Sequence, residues 1–158
     1  RGAHWHPWWR SYYVKAVRLN VHRPSKFGNK KHQLDGINFV SKAEAAYYWF
    51  HIKPRYEADE IQNLVFQPRI RCQVDGVKIC DYVADFSYFD RNETGQHGQH
   101  GCQVIIEVKG YKTDVYKLKI KLVHALYPGL KIIVIPSNQL KKEIAQLPPQ
   151  EGKPGEKD

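Results

Sequence analysis

The segment Ile105-Ile106-Glu107-Val108-Lys109-Gly110 sets a carboxylate and an ammonium two residues apart at the end of an apolar run. In an extended strand, residues i and i+2 leave from the same face, so Glu107 and Lys109 are expected to project together. An apolar strand has little structural use for such a pair unless that face opens into a cleft. A second acid, Asp85, stands in the equally apolar stretch Tyr82-Val83-Ala84-Asp85-Phe86. If strands over 77–89 and 102–108 pair as a hairpin, Asp85 and Glu107 lie side by side. Two carboxylates in a dry cleft repel unless a cation lies between them. A hard divalent ion with oxygen ligands, Mg²⁺ above all, suits that arrangement. The plain alternative for Glu107 and Lys109 is a surface ion pair on an edge strand. A third acid, Glu44 on a preceding helix, weighs against it, although a helix cap explains Glu44 equally well.

Asp85, a gap of 21 residues, and then Glu107-Val108-Lys109 resemble the D…ExK motif of the PD-(D/E)xK nuclease superfamily. The surroundings are Ser41-Lys42-Ala43-Glu44-Ala45, Gly76 to Phe86, and Glu107 to Thr113. They resemble a small family of phage-encoded and prophage proteins, similar in arrangement to phage and archaeal Holliday-junction resolvases. The likeness runs from about Asn29 to Ile135 and leaves both ends of the chain uncovered. It implies a restriction-endonuclease-like fold and a Mg²⁺-dependent endonuclease acting on branched DNA, in phage recombination or replication, with Mn²⁺ as the substitute ion. By position, Asp85, Glu107, the Val108 carbonyl and Glu44 would hold the metal. Lys109 would orient or help deprotonate the attacking water, or stabilise charge on the phosphoryl group. The sequence departs from the pattern at Ala84, where the superfamily often has Pro, and in the long gap before Glu107.

The elements that must position these residues follow from local signals. Asp35-Gly36 predicts a short hairpin over 31–40. Ser41 and Glu44 make a capping box that opens a helix, which Pro54 should end or kink. Leu64–Val74 reads as one strand with Pro68 at an edge or bulge. Asp75-Gly76 turns it into a second strand over Val77–Phe89. Asp90–Gly101 reads as a loop, and Cys102–Val108 as a strand buried on both faces. Thr113–Tyr127 is predicted as a helix with an apolar stripe of Val115, Leu118, Leu122, Ala125 and Leu126. A buried strand over Lys131–Ile135 and a helix over Ser137–Leu147 complete an α/β domain, a mixed β-sheet core flanked by helices. The expected organisation is a basic aromatic segment 1–31, a nuclease domain 32–147 and a disordered tail 148–158.

The 158 residues carry 25 Lys+Arg against 16 Asp+Glu, a net +9. That charge divides as +8 over residues 1–31, −3 over 32–100 and +4 over 101–158. Basic ends around an acid-bearing middle suggest a polyanion partner, DNA in the first place. Lys112, Lys117 and Lys121, together with Lys30 and Lys31, are the candidate phosphate contacts. For any single lysine, a solvated surface is the better explanation. Trp5, Trp8, Trp9, Tyr12 and Tyr13 could stack on unpaired bases, but aromatic clusters more often cover a core or a dimer interface, and a homodimer is expected.

Three cysteines without CxxC spacing point to a reducing compartment, the cytoplasm of a bacterium or phage-infected host. His97, His100 and Cys102 do not follow a zinc pattern and read as loop. No membrane span, no secretory signal and no small organic cofactor is expected. The lack of Met suggests a processed or trimmed start. Two alternatives stand beside the endonuclease: a non-catalytic nucleic-acid-binding module, and the nuclease subunit of a transposition or restriction complex.

Overall fold

In a computed structural model of the chain, residues 32–95 and 100–149 are described. Segment 1–31 with Lys30 and Lys31, His97, and the tail beyond residue 149 lie outside them. The chain begins as a hairpin of β1 (His32–Leu34) and β2 (Ile37–Phe39). Asp35 and Gly36 both take positive φ, 51° and 70°, as a type I′ turn requires. The helix α1 (Lys42–Tyr47) follows, and Ser41 caps it by accepting the Glu44 N–H at 3.2 Å.

Pro54 does not end this helix. The chain widens into a π turn over Tyr48–Ile52 and continues as α2 (Lys53–Glu57), with Pro54 in its first turn. A proline at the start of a helical segment removes an N–H that has no obligatory partner there, and the wider turn accommodates the ring. Lys53 donates to Asp35 at 2.7 Å and the Tyr48 hydroxyl donates to it at 3.1 Å, tying this helix to the first hairpin.

The two long strands expected from sequence are each broken in two. β3 (Ile61–Phe66) and β4 (Arg69–Val74) run out, and β5 (Val77–Val83) and β6 (Phe86–Thr94) run back. Both breaks fall at the same level. Gln67 adopts φ 50°, and Pro68 has no N–H to give a ladder. The break is bridged by Gln67 N–H donating to the Asp85 carbonyl at 2.8 Å and Ala84 N–H donating to the Pro68 carbonyl at 3.1 Å. The result is one bent ribbon. β3 and β6 join a four-stranded sheet, while β4 and β5 form a separate two-stranded arm.

β7 (His100–Lys109) pairs antiparallel with β6, so strand structure takes up both ends of the predicted loop 90–101. β8 (Lys131–Pro136) lies parallel to β7, giving the order β3-β6-β7-β8 in a mixed sheet. At the sheet edge, β8 is half-buried along its whole length rather than buried. A single 3₁₀ turn (Ser137–Leu140) and a short α4 (Lys141–Ala145) replace the predicted last helix. Among the described residues, no helix is long and apolar enough to cross a membrane.

β7 is the central element because it is buried on both faces. Val104, Ile106 and Val108 meet Phe39, Tyr48, Ile52, Phe86 and Tyr88 under the first helices. Ile105 points the other way, into a smaller core with Ile70, Cys72, Tyr82, Ala84, Tyr116 and Val123. The last two belong to α3 (Asp114–Leu126), which crosses β4 and β5. The buried stripe of α3 overlaps the predicted one in part: Leu122 and Leu126 pack against this core as expected, while Ala125 is exposed. Tyr116 and Val123 are buried and Ile120 packs beside them, whereas Val115 and Leu118 are 66% and 69% exposed. Lys119 helps set the buried face by donating to the Asp81 carbonyl of β5 at 2.9 Å. At the far end, the Tyr127 hydroxyl donates to the Arg71 carbonyl of β4.

Candidate functional site

The end of β7, the bend of the ribbon and the start of α1 meet at one place. The β6–β7 ladder closes on Phe86 opposite Ile106, and one step further would set Asp85 opposite Glu107. There Asp85 leaves the ladder. Its N–H donates to the Ile106 carbonyl at 3.0 Å, and its carboxylate accepts the Val108 N–H at 2.6 Å. In an extended strand, the N–H and C=O of one residue share an edge, so the Val108 carbonyl also lies toward Asp85. Glu107 is 3% exposed; one oxygen meets Lys109 Nζ at 3.0 Å and the other accepts the Tyr82 hydroxyl at 3.4 Å. Glu44, also buried, accepts the Val40 N–H at 3.2 Å and the Ser41 hydroxyl at 2.9 Å. The capping box and a buried acid are thus one and the same residue.

Burial and neighbouring charge raise all three acids. Burial raises Glu44 to about 7 against the pull of its Ser41 and Val40 hydrogen bonds, and the Glu107 charge adds to the rise. Burial lifts Asp85 well above the usual carboxylate range, and the charges of Glu44 and Glu107 push it further. The Val108 N–H and Lys109 oppose the rise. Burial raises Glu107 too, against Lys109 and the Tyr82 hydroxyl. One lysine thus serves three acids, which leaves an excess of negative charge if all three ionise. Among the described residues, no three His, Cys, Asp or Glu side chains form a ready metal cage. Each of the three carboxylates instead faces a protein donor. The donor chemistry nevertheless fits a hard cation, since the ligands on offer are carboxylate and carbonyl oxygens in a place that disfavours uncompensated negative charge.

Glu44, Asp85, Glu107, Lys109 and Val108 are therefore brought together. Lys112, Lys117 and Lys121 are not part of this cluster. They are exposed on and before α3, and Lys117 pairs with Asp114 at 2.9 Å. Sequence reasoning missed Tyr82 and Tyr116, which flank Glu107 and Lys109. The signal was present in α3, where Tyr116, Ile120, Val123 and Tyr127 recur at helical spacing.

An α/β mixed sheet with an acid cluster at the end of its central strand defines the class of domain. A family model described as a protein of unknown function (DUF1064) matches residues 24–142, and the chain belongs to that family. No curated protein and no solved structure matches the chain.

Proposed function

We propose that this chain is a divalent-metal-dependent DNA endonuclease of the PD-(D/E)xK, restriction-endonuclease-like kind. One observation carries the reading: Asp85 accepts the Val108 N–H at 2.6 Å next to Glu107, which pairs with Lys109 at 3.0 Å, and the charges of Glu44 and Glu107 both bear on Asp85. Asp85, Glu107, the Val108 carbonyl and Glu44 would hold Mg²⁺ or Mn²⁺. The ion would supply Lewis acidity to water and to phosphoryl oxygens. Lys109 presents its ammonium beside that position and donates to phosphoryl oxygen as negative charge builds there. Glu107 keeps Lys109 oriented, and the Val108 N–H fixes the Asp85 rotamer. Hydrolysis places water oxygen on phosphorus and releases one sugar hydroxyl. Lys112, Lys117 and Lys121 supply phosphate contacts outside the chemical centre. Branched DNA is the proposed substrate and the bacterial or phage-infected cytoplasm the proposed compartment.

The experiment is cleavage of plasmid and four-way-junction DNA with Mg²⁺, comparing wild type with Asp85→Ala and Glu107→Ala. Cleavage by the wild type alone supports the reading, and equal behaviour of all three proteins removes it. The exposed apolar residues Tyr111, Val115 and Leu118 favour a second reading in which the nuclease works as a subunit, with a second copy or another protein on α3. Size determination of the purified chain and co-purification with a partner distinguish these assemblies.

A further inference from the structure

Two tyrosines stand against the Glu107–Lys109 pair, and the chemistry proposed above gives neither a task. Tyr82, near the end of β5, is 2% exposed and donates its hydroxyl to Glu107 Oε2. Tyr116, in the first turn of α3, places its ring 4.9 Å from Lys109 Nζ. The two rings lie 6.4 Å apart at 40°. Thr113 fixes the start of α3 by accepting the Tyr116 N–H at 3.2 Å, which sets where this ring emerges.

We propose that Tyr82 and Tyr116 form a bracket that positions the Glu107–Lys109 pair. A lysine side chain has a flexible four-carbon stem, and one carboxylate contact leaves its ammonium free to swing. The Tyr116 ring attracts the cation through its π face without accepting a directed N–H bond from it. Two of the three ammonium donors therefore stay available for substrate while the third meets Glu107. Tyr82 acts on the other side by occupying Glu107 Oε2, so that Oε1 points to Lys109. The buried Tyr116 hydroxyl interacts with the Tyr82 phenol but makes no hydrogen bond of good geometry. Phenylalanine would keep the ring over Lys109 and lose only that weak hydroxyl contact, so the ring is the part of Tyr116 that does the positioning.

The arms that read catalysis rest on the endonuclease reading, and the arm that reads geometry does not. In the metal-free 158-residue chain, NMR of Lys109 should show its ε-methylene protons shifted upfield by the Tyr116 ring. The shift should persist in Tyr116→Phe and vanish in Tyr116→Leu. In plasmid cleavage with Mg²⁺, Tyr116→Leu should lower kcat about tenfold with KM unchanged, and Tyr116→Phe should restore it to within about twofold. A series of progressively fluorinated phenylalanines at position 116 keeps the ring shape and weakens its π face, so kcat should fall with each fluorine. This series decides the matter if Tyr116→Leu does not fold. Tyr82→Phe should raise several-fold the Mg²⁺ concentration needed to shift the thermal melt in the absence of DNA. A Lys109 signal indifferent to Tyr116→Leu, a flat fluorine series, or an unchanged Mg²⁺ requirement in Tyr82→Phe overturns the bracket. If the wild type cleaves no DNA, the endonuclease reading falls and the Lys109 signal still judges the bracket.

Discussion

Asp85 and Asp90 stand five residues apart on the same stretch of chain, and their surroundings differ in kind. Asp90 is 2% exposed, yet it is fully provided for. Arg55 donates to it at 2.8 Å, the Asn92 N–H donates to it at 3.1 Å, and Glu60 meets the same guanidinium at 3.1 Å. The arginine responds accordingly: burial works against its charge, but the hydrogen bonds to Asp90 and Glu60 outweigh it and raise its pKa. Asp85 shares a single lysine with Glu44 and Glu107, and all three acids are raised. A cluster built for stability pairs its charges, as Asp90 does. A cluster that leaves charge uncompensated needs another reason to persist, and a cation-dependent reaction is such a reason.

The widest separation between the two clusters should appear in cleavage. Asp85→Asn or Glu107→Gln should lower Mg²⁺-dependent kcat at least about a thousandfold, measured on supercoiled plasmid, while Asp90→Asn leaves kcat unchanged. Stability should separate them next, with opposite signs. Glu44 titrates near 7 when folded against 4.5 when free, so between these values the folded chain holds a proton that the unfolded chain releases. Stability in EDTA should therefore be highest at the acid end of that window and decline as pH rises through about 7. The Glu44 contribution to the loss is on the order of 3 kcal/mol by pH 8. Glu44→Gln, which keeps a capping-box side chain, should flatten this slope in urea melts and stabilise the metal-free protein at pH 8. Added Mg²⁺ should flatten the slope in the wild type.

Asp90→Asn should instead destabilise by about 1–3 kcal/mol in the same melts, since Arg55 is partly exposed and keeps Glu60. The smallest effect belongs to the lysines. Lys112→Ala and Lys121→Ala should each reduce the logarithmic salt slope of DNA binding by about one, measured by fluorescence anisotropy, with kcat unaltered.

What could be read from sequence was local. Asp35-Gly36 and Asp75-Gly76 announce their turns because few residue pairs tolerate two positive φ angles. Ser41 and Glu44 announce a helix start, and Glu107 and Lys109 a shared strand face. The hidden features depend on partners distant in sequence. The ribbon bends at Ala84-Asp85 because Gln67 and Pro68 bend opposite them, a pairing that no local window contains. The α3 stripe keeps Leu122 and Leu126 but gives up Val115 and Leu118, because Tyr116 and Val123 must fill a core made by β4, β5 and β7. The Tyr116 ring then lands beside Lys109, a contact that exists only once the sheet and helix have docked.

The two-stranded arm beyond the bend has a practical side. From Val77 to Val83 it extends about 20 Å, and its tip is the two-residue turn Asp75-Gly76. A Cβ added at Gly76 would meet nothing within 4 Å. The tip is therefore an attachment point: a short epitope or a dye-bearing loop grafted there would report on the protein in solution without disturbing Asp85 at the arm's root.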